Sequence, residues 1–176
     1  MSPLVRKCLA PALLAVSLAA CSREPPRETR FIGFDPESSA GALAVGWSGF
    51  ERTEAGDTFV WAQAREAQVR VVADGPGDRL LRFRAWPLWW EGAPQRQVTV
   101  LVNDVSLGTV ALGDGPRVYR LDSPAPAWKG GENVVTLRFL WAEAPRDRLP
   151  GATDTRTLAA AFDWLEILPA GPPGAR

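Results

Sequence analysis

The stretch that decides the fold is RLLRFRAW, residues 79–86. Leu81, Phe83 and Ala85 fall on one side of an extended chain, while Arg82 and Arg84 fall on the other. Apolar residues at every second position are typical of a β-strand that buries one face and exposes the other. We therefore expect a half-buried strand here.

The same period of two recurs along the chain after residue 30. Turn signals rich in Gly, Pro and Asp separate the apolar segments, and no stretch of ten residues keeps a helical period. The expected strands cover residues 30–34, 42–47, 58–63, 67–72, 79–86, 98–103, 105–112, 117–121, 133–142 and 159–168. Such strands predict an all-β fold, a two-sheet β-sandwich over residues 30–168 with the jelly roll as its closed form. Residues 169–176 are expected to be a disordered tail.

The alternation also predicts which side chains share a face in the two longest strands. In the strand expected at 133–142, Trp141 belongs to the apolar face. In the last strand, Ala161 and Leu165 share a face and Phe162 lies on the opposite one.

Composition limits the function. The 176 residues carry 20 Lys plus Arg against 20 Asp plus Glu, with no cluster of basic residues, so nucleic-acid binding is not expected. Histidine is absent, which removes the commonest general base and metal ligand. No nucleophile elbow, zinc-ligand cluster or phosphate-binding loop is present. The chain is therefore expected not to be an enzyme and to hold no metal or cofactor.

The first twenty residues have the pattern of an export signal. Arg6 and Lys7 precede an apolar run at 9–18, roughly ten residues where a membrane span needs about twenty. The sequence LAAC at 18–21 resembles the lipobox of bacterial lipoproteins, which implies cleavage after residue 20 and a lipid on Cys21. An ordinary secretory signal followed by a coincidental cysteine is the alternative.

The two cysteines agree with a lipoprotein. Cys8 would leave with the signal and Cys21 would carry lipid, so the folded domain would contain no thiol. Residues 21–29 are expected to be a tether. Ser22 after the cysteine resembles the outer-membrane sorting signal of Gram-negative lipoproteins. The expected location is therefore the cell envelope, on the outer membrane and facing the periplasm.

One hairpin resembles a motif of galactose-binding-like jelly-roll domains. VLVNDVSLG at 100–108 is similar to their Val-Asn-Gly hairpin, with Asp104 in the place of glycine. Asn103 and Asp104 suit the positive φ angles of a tight turn.

Two further motifs resemble β-sandwich domains attached to bacterial envelope glycosyltransferases and polysaccharide-export proteins. GWSGFE at 46–51, followed by FVWA at 59–62, looks like their opening. DTRTLAAAFDWLEI at 154–167 looks like their closing segment. The resemblance implies a jelly-roll accessory domain of a carbohydrate-related system, and fold alone does not identify a sugar.

Tryptophans provide the first candidate binding residues, Trp86, Trp89 and Trp90, with Glu91 beside them. Pro87 interrupts this segment, so we expect it to run as a loop along the rim of the sandwich, where indole rings can stack on sugar faces. Packing on the core or on a neighbouring loop is the alternative.

The remaining tryptophans are assigned by position. Those in predicted strands are expected to pack in the core: Trp47, Trp61, Trp141 and Trp164. Trp128, in a proline-rich turn, fits either role.

Glu51, Asp154 and Arg156 are the charged candidates. Carboxylate and guanidinium groups at loop ends can hydrogen-bond sugar hydroxyls, and they can equally pair with each other to tie the sandwich edges together. Two functions stay open. The domain binds carbohydrate through these residues, or the same face docks a protein partner of an envelope polysaccharide assembly machine.

Overall fold

The computed structural model describes residues 30–170, which form a two-sheet antiparallel β-sandwich, as predicted. The strands are β1 (Arg30–Gly33), β2 (Glu51–Arg52), β3 (Thr58–Gln63), β4 (Glu66–Ala73), β5 (Arg79–Pro87), β6 (Arg96–Val102), β7 (Val105–Leu112), β8 (Arg117–Ser123), β9 (Gly131–Phe139) and β10 (Leu158–Pro169). The larger sheet has the order β2-β3-β10-β5-β8, with β1 also paired to β10, and the smaller sheet has the order β4-β9-β6-β7.

The predicted signal peptide, Cys21, the predicted tether and residues 171–176 lie outside the described residues. Within residues 30–170, no helix is long and apolar enough to cross a membrane.

β5 lies between β10 and β8 and has the predicted alternation. Leu81, Phe83 and Ala85 are fully buried, while Arg82 and Arg84 point to the outward face of the larger sheet. The largest fully buried side chains include Phe34, Phe83, Phe162, Leu81, Leu137, Leu165, Val60, Val69, Val98, Val100, Val102 and Val135. Each aliphatic or aromatic side chain buried in this way contributes about 1.5 to 3 kcal/mol.

A β-bulge at Asp163 interrupts the regular pairing of β10. Phe162 pairs with Ala85 and Trp164 pairs with Arg84, so two steps along β10 match one step along β5. Asp163 is the extra residue. A bulge bends its strand and redirects the side chains that follow it.

This bulge makes the predicted faces of β10 wrong. Phe162 is fully buried between the sheets, where it contacts Phe34 and Phe83, whereas Ala161 lies on the outward side of the sheet. The prediction assumed an unbroken period of two, and the extra residue shifts the phase between Phe162 and Leu165.

The strand predicted at 42–47 does not form. This segment makes only two isolated bridges, at Leu43 and at Trp47. Gly46 has a φ of +83°, and a Cβ there would lie 2.1 Å from the carbonyl oxygen of Glu66. The left-handed backbone breaks the extended chain and lets it pass close to β4.

The predicted hairpin between β6 and β7 is confirmed. Asn103 and Asp104 form its turn with φ angles of 47° and 69°. Both angles are positive, as a two-residue hairpin turn with this twist requires. The Asn103 side chain also donates to the carbonyl oxygen of Ala127, at 2.9 Å, and anchors the hairpin to the neighbouring loop.

Candidate functional site

Two long connections emerge at the same end of the sandwich. β5 ends where β10 begins, with Pro87 opposite Ala160, and β9 ends close to the start of β6, with Phe139 opposite Val98. The loops that follow β5 and β9 therefore lie at the same end of the sandwich and can place side chains around it. We call the surface of Trp89, Trp90, Glu91 and Trp141 the rim surface.

Trp89 and Trp90 lie beyond the end of β5, as predicted for a rim loop. The Trp89 side chain is 51% exposed, and Glu91 is also exposed. Trp90 is half-buried, with the Cζ of Arg96 at 4.2 Å and the Cζ of Arg148 at 5.3 Å from its ring centroid. Two cation–π contacts therefore hold the ring of Trp90, whereas Trp89 faces solvent.

Trp141 also belongs to the rim, and the prediction that it packs in the core is wrong. β9 ends at Phe139, two residues earlier, and Trp141 is 37% exposed. Its ring centroid lies 5.9 Å from the Cζ of Arg96. The apolar pattern of the sequence continues past the end of β9, because the next two residues are Leu140 and Trp141. Both of these side chains are exposed.

Arg96 is an unusual feature of this end because its guanidinium is buried without an acceptor. Nε, Nη1 and Nη2 have no hydrogen-bond partner among the described residues. Burial lowers the pKa of Arg96, while the nearby Glu143 carboxylate opposes that change. Arg96 lies two residues before Val98, so strand alternation places its charge on the apolar side of β6. This pattern could have identified Arg96 from the sequence.

Trp86 is separated from the rim because it lies within β5. On the outward face of the larger sheet it contacts Phe59, with ring centroids 5.3 Å apart, and Phe59 contacts Trp61 at 6.1 Å. Ala161 pairs with both Trp61 and Trp86 and separates their strands. We call Phe59, Trp61 and Trp86 the sheet-face cluster. β5 runs through Pro87, so Trp86 lies in the strand, as the strand predicted at 79–86 has it, and the expectation that it belongs to the rim loop is wrong.

Glu51, Asp154 and Arg156 form one ion-pair network, so the pairing alternative describes their geometry. Arg156 donates from Nη1 to Oε1 of Glu51 at 2.6 Å and from Nη2 to Oδ2 of Asp154 at 2.6 Å. The Arg156 side chain lowers the pKa of Asp154, and both acids raise the pKa of Arg156. Glu51 sits opposite Phe59 in the β2–β3 ladder, so the network borders the sheet-face cluster.

The other tryptophans have mixed positions. Trp47 packs on the core as predicted, at 5.5 Å from Phe162, and Trp128 is buried with its Nε1 donating to Ser123. Trp61 and Trp164 are not core residues, contrary to the prediction, because both lie on the outward face of the larger sheet.

The structure thus divides the predicted site residues into two sets. Trp89, Trp90 and Glu91 lie on the rim surface, and Trp86 lies with the charged network on the sheet face. Sequence reasoning missed Arg96 and Arg148, which position Trp90. Between residues 30 and 170, no group of three or more Asp, Glu, His or Cys side chains could hold a metal ion.

Comparison with known proteins identifies the class of fold. No protein-family model matches the chain, and no curated protein matches it either. The solved structures that are similar to this chain include carbohydrate-binding modules. The CBM35 from Cellvibrio japonicus Abf62 is similar with a TM-score of 0.51 and 16% identity, over 82% of this chain and 95% of that one.

A second structure shows the same fold inside a larger protein. It is the GH26-CBM35 β-(1,4)-mannanase of Podospora anserina, with a TM-score of 0.50 and 10% identity. The match covers 84% of this chain and 29% of the mannanase. The chain therefore has the fold of a carbohydrate-binding module, the galactose-binding-like jelly roll.

Proposed function

We propose that this chain is a non-catalytic carbohydrate-binding protein of the cell envelope, and that the rim surface binds the sugar. The observation that carries the proposal is the pair of exposed indoles, Trp89 and Trp141, on loops at one end of the sandwich. Indole rings stack on the apolar faces of pyranose rings, and exposed loops on a rigid sandwich are common binding sites.

The fold and the charged neighbours support this proposal. The two solved structures compared above are, by name, a CBM35 and a mannanase that contains a CBM35. Around Trp90, Arg148 is partly exposed and pairs with Glu143 at 3.1 Å, so donors and acceptors for sugar hydroxyls lie close to the aromatic rings. A few polar groups beside aromatic surface are what a small-ligand site requires.

Replacing Trp89 with alanine tests the site directly. We expect Trp89→Ala to weaken binding of a glycan found on an array by about 1 to 3 kcal/mol, or about 5- to 150-fold in Kd, because stacking area is lost. Titration calorimetry on the full chain in detergent measures the loss. The melting temperature should change little, since the ring is exposed.

Two control variants locate the loss. Leu140→Ala removes another exposed apolar side chain from the same end and should leave glycan affinity unchanged. If Trp86→Ala abolished binding while Trp89→Ala did not, the site would move to the sheet-face cluster. An array without any glycan signal would favour the second function, docking of a protein from an envelope polysaccharide assembly machine.

We also propose that lipid on Cys21 attaches the chain to the outer membrane. The support is the sequence: a basic patch, a short apolar run and LAAC at 18–21. Several acyl chains on one residue give stable attachment, because each buried methylene contributes about 0.8 kcal/mol. Cys21→Ser should release the protein from the membrane fraction or block its processing. Cys8→Ser is the matched control and should leave membrane partition unchanged, and unchanged partition of Cys21→Ser would contradict lipidation.

A further inference from the structure

An open concavity of about 420 Å³ lies on the outward face of the larger sheet, apart from the rim surface. It forms where β10 changes neighbours: β3 pairs with residues up to Phe162, and β1 pairs from Trp164 onward. The bulge residue Asp163 lies at this junction. We call this space the outer concavity, and its walls include Phe31, Trp164, Asp35, Asp57, Arg84 and Asp163.

Asp163 presents a buried oxygen that lacks a donor. Its side chain is only 7% exposed, and Oδ2 accepts a hydrogen bond from Nη1 of Arg84. Oδ1 has no hydrogen-bond partner within residues 30–170. Because Oδ1 is itself buried, Asp163 acts on a ligand through its negative charge, which a single hydrogen bond from Arg84 compensates only in part.

The charge of the outer concavity favours a cation. Asp35, Asp57 and Asp163 contribute three carboxylates against the one guanidinium of Arg84. Asp57 is largely exposed and its Oδ2 lies 4.0 Å from Arg84, beyond hydrogen-bond distance, so it is available to a ligand. Asp35 is oriented by backbone N–H groups of Glu37 and Ser38, which donate to its Oδ1.

Part of the wall is aromatic. Phe31 is 59% exposed and contacts Trp164, with ring centroids 6.0 Å apart and planes inclined by 33°. A wall with both apolar rings and acidic groups suits a ligand that has a ring face and a positive charge, since aromatic rings attract cations as well as sugar faces. The volume falls in the range of about 300 to 1,000 Å³ that small-ligand sites occupy.

We propose that the outer concavity is a second binding site, specific for a sugar unit that carries a free ammonium group. The ring stacks on Phe31 and Trp164, and the ammonium group donates to Asp57, next to the negative charge of Asp163. This site goes beyond the glycan site of the rim surface, because it has a different chemistry and shares no residue with it.

Three sugars that differ at one carbon test the ammonium group. Glucosamine, N-acetylglucosamine and glucose present an ammonium, an amide and a hydroxyl group on the same ring. We expect the full chain in detergent to bind glucosamine about tenfold more tightly than the other two, and the preference should fall as salt is added. Equal affinity for all three sugars would overturn the proposal. A protein that binds Ca²⁺ but does not bind glucosamine would overturn it too.

Substitutions assign the binding to this site. Asp57→Asn should remove the tenfold preference without unfolding the protein, because Asp57 is at the surface. Phe31→Ala should weaken glucosamine binding, whereas Asp114→Asn, at an exposed acid that does not line the outer concavity, should have no effect. Trp89→Ala separates this proposal from the rim surface, since it should leave the glucosamine preference intact. A preference lost in Trp89→Ala and kept in Asp57→Asn would place the ammonium site on the rim instead.

Discussion

Replacing Phe162 with alanine is expected to lower the free energy of unfolding by about 3 to 5 kcal/mol, the range for truncating a buried phenylalanine. The ring is fully buried and contacts four aromatic side chains, Phe34, Trp47, Phe83 and Phe139. β10 pairs with three other strands, so a cavity at this position weakens the packing between the two sheets. Urea unfolding followed by tryptophan fluorescence measures the loss.

The control for this substitution is Phe50→Ala. Phe50 is 45% exposed, and the same truncation there should change stability by no more than about 0.5 kcal/mol. The comparison tests the β-bulge at Asp163, because a strand without it would turn Phe162 toward solvent. Equal effects of the two substitutions would contradict the burial of Phe162.

The strands were predictable from the sequence because their periodicity is local. Leu81, Phe83 and Ala85 in β5, and the valines of β6, repeat at every second position and need no knowledge of their partners. The bulge was not predictable, since residues 159–161 are three alanines that fit either phase of the alternation. Its position depends on which residues of β5 lie opposite β10, and that pairing is a property of the whole sheet.

The candidate sites follow the same division between local and long-range information. Exposure of Trp89 could be predicted because Pro87 and the change of pattern mark the end of a strand. The Glu51–Arg156 pair joins residues 105 positions apart, so the sequence left both pairing and ligand binding open. The contact of Arg148 with Trp90 joins the loop after β9 to the loop after β5, and no local pattern records such a contact.

The ion pair of Arg84 and Asp163 provides the second large effect. Asp163 is nearly buried, and Arg84 is its one hydrogen-bonding side chain in the described part of the protein. Arg84→Met keeps most of the side-chain volume and removes the charge. It leaves a buried carboxylate uncompensated, so we expect a loss of about 3 to 5 kcal/mol of stability at neutral pH. The double variant Arg84→Met with Asp163→Asn is the control, and it should recover a large part of that loss.

The loss in Arg84→Met should depend on pH in a direction set by Asp163. Burial raises the pKa of this carboxyl in the folded protein, and Arg84 opposes the increase, so its removal raises the pKa further. A folded state with the higher pKa binds more protons than the unfolded state. Stability therefore falls as pH rises from the pKa of the unfolded state through the pKa of the folded state. As pH falls from neutral toward about 4, near the pKa of an aspartate in the unfolded chain, the difference between Arg84→Met and the unsubstituted protein should shrink because Asp163 becomes neutral. A difference that stays constant with pH would show that Arg84 stabilises the sheet by packing alone.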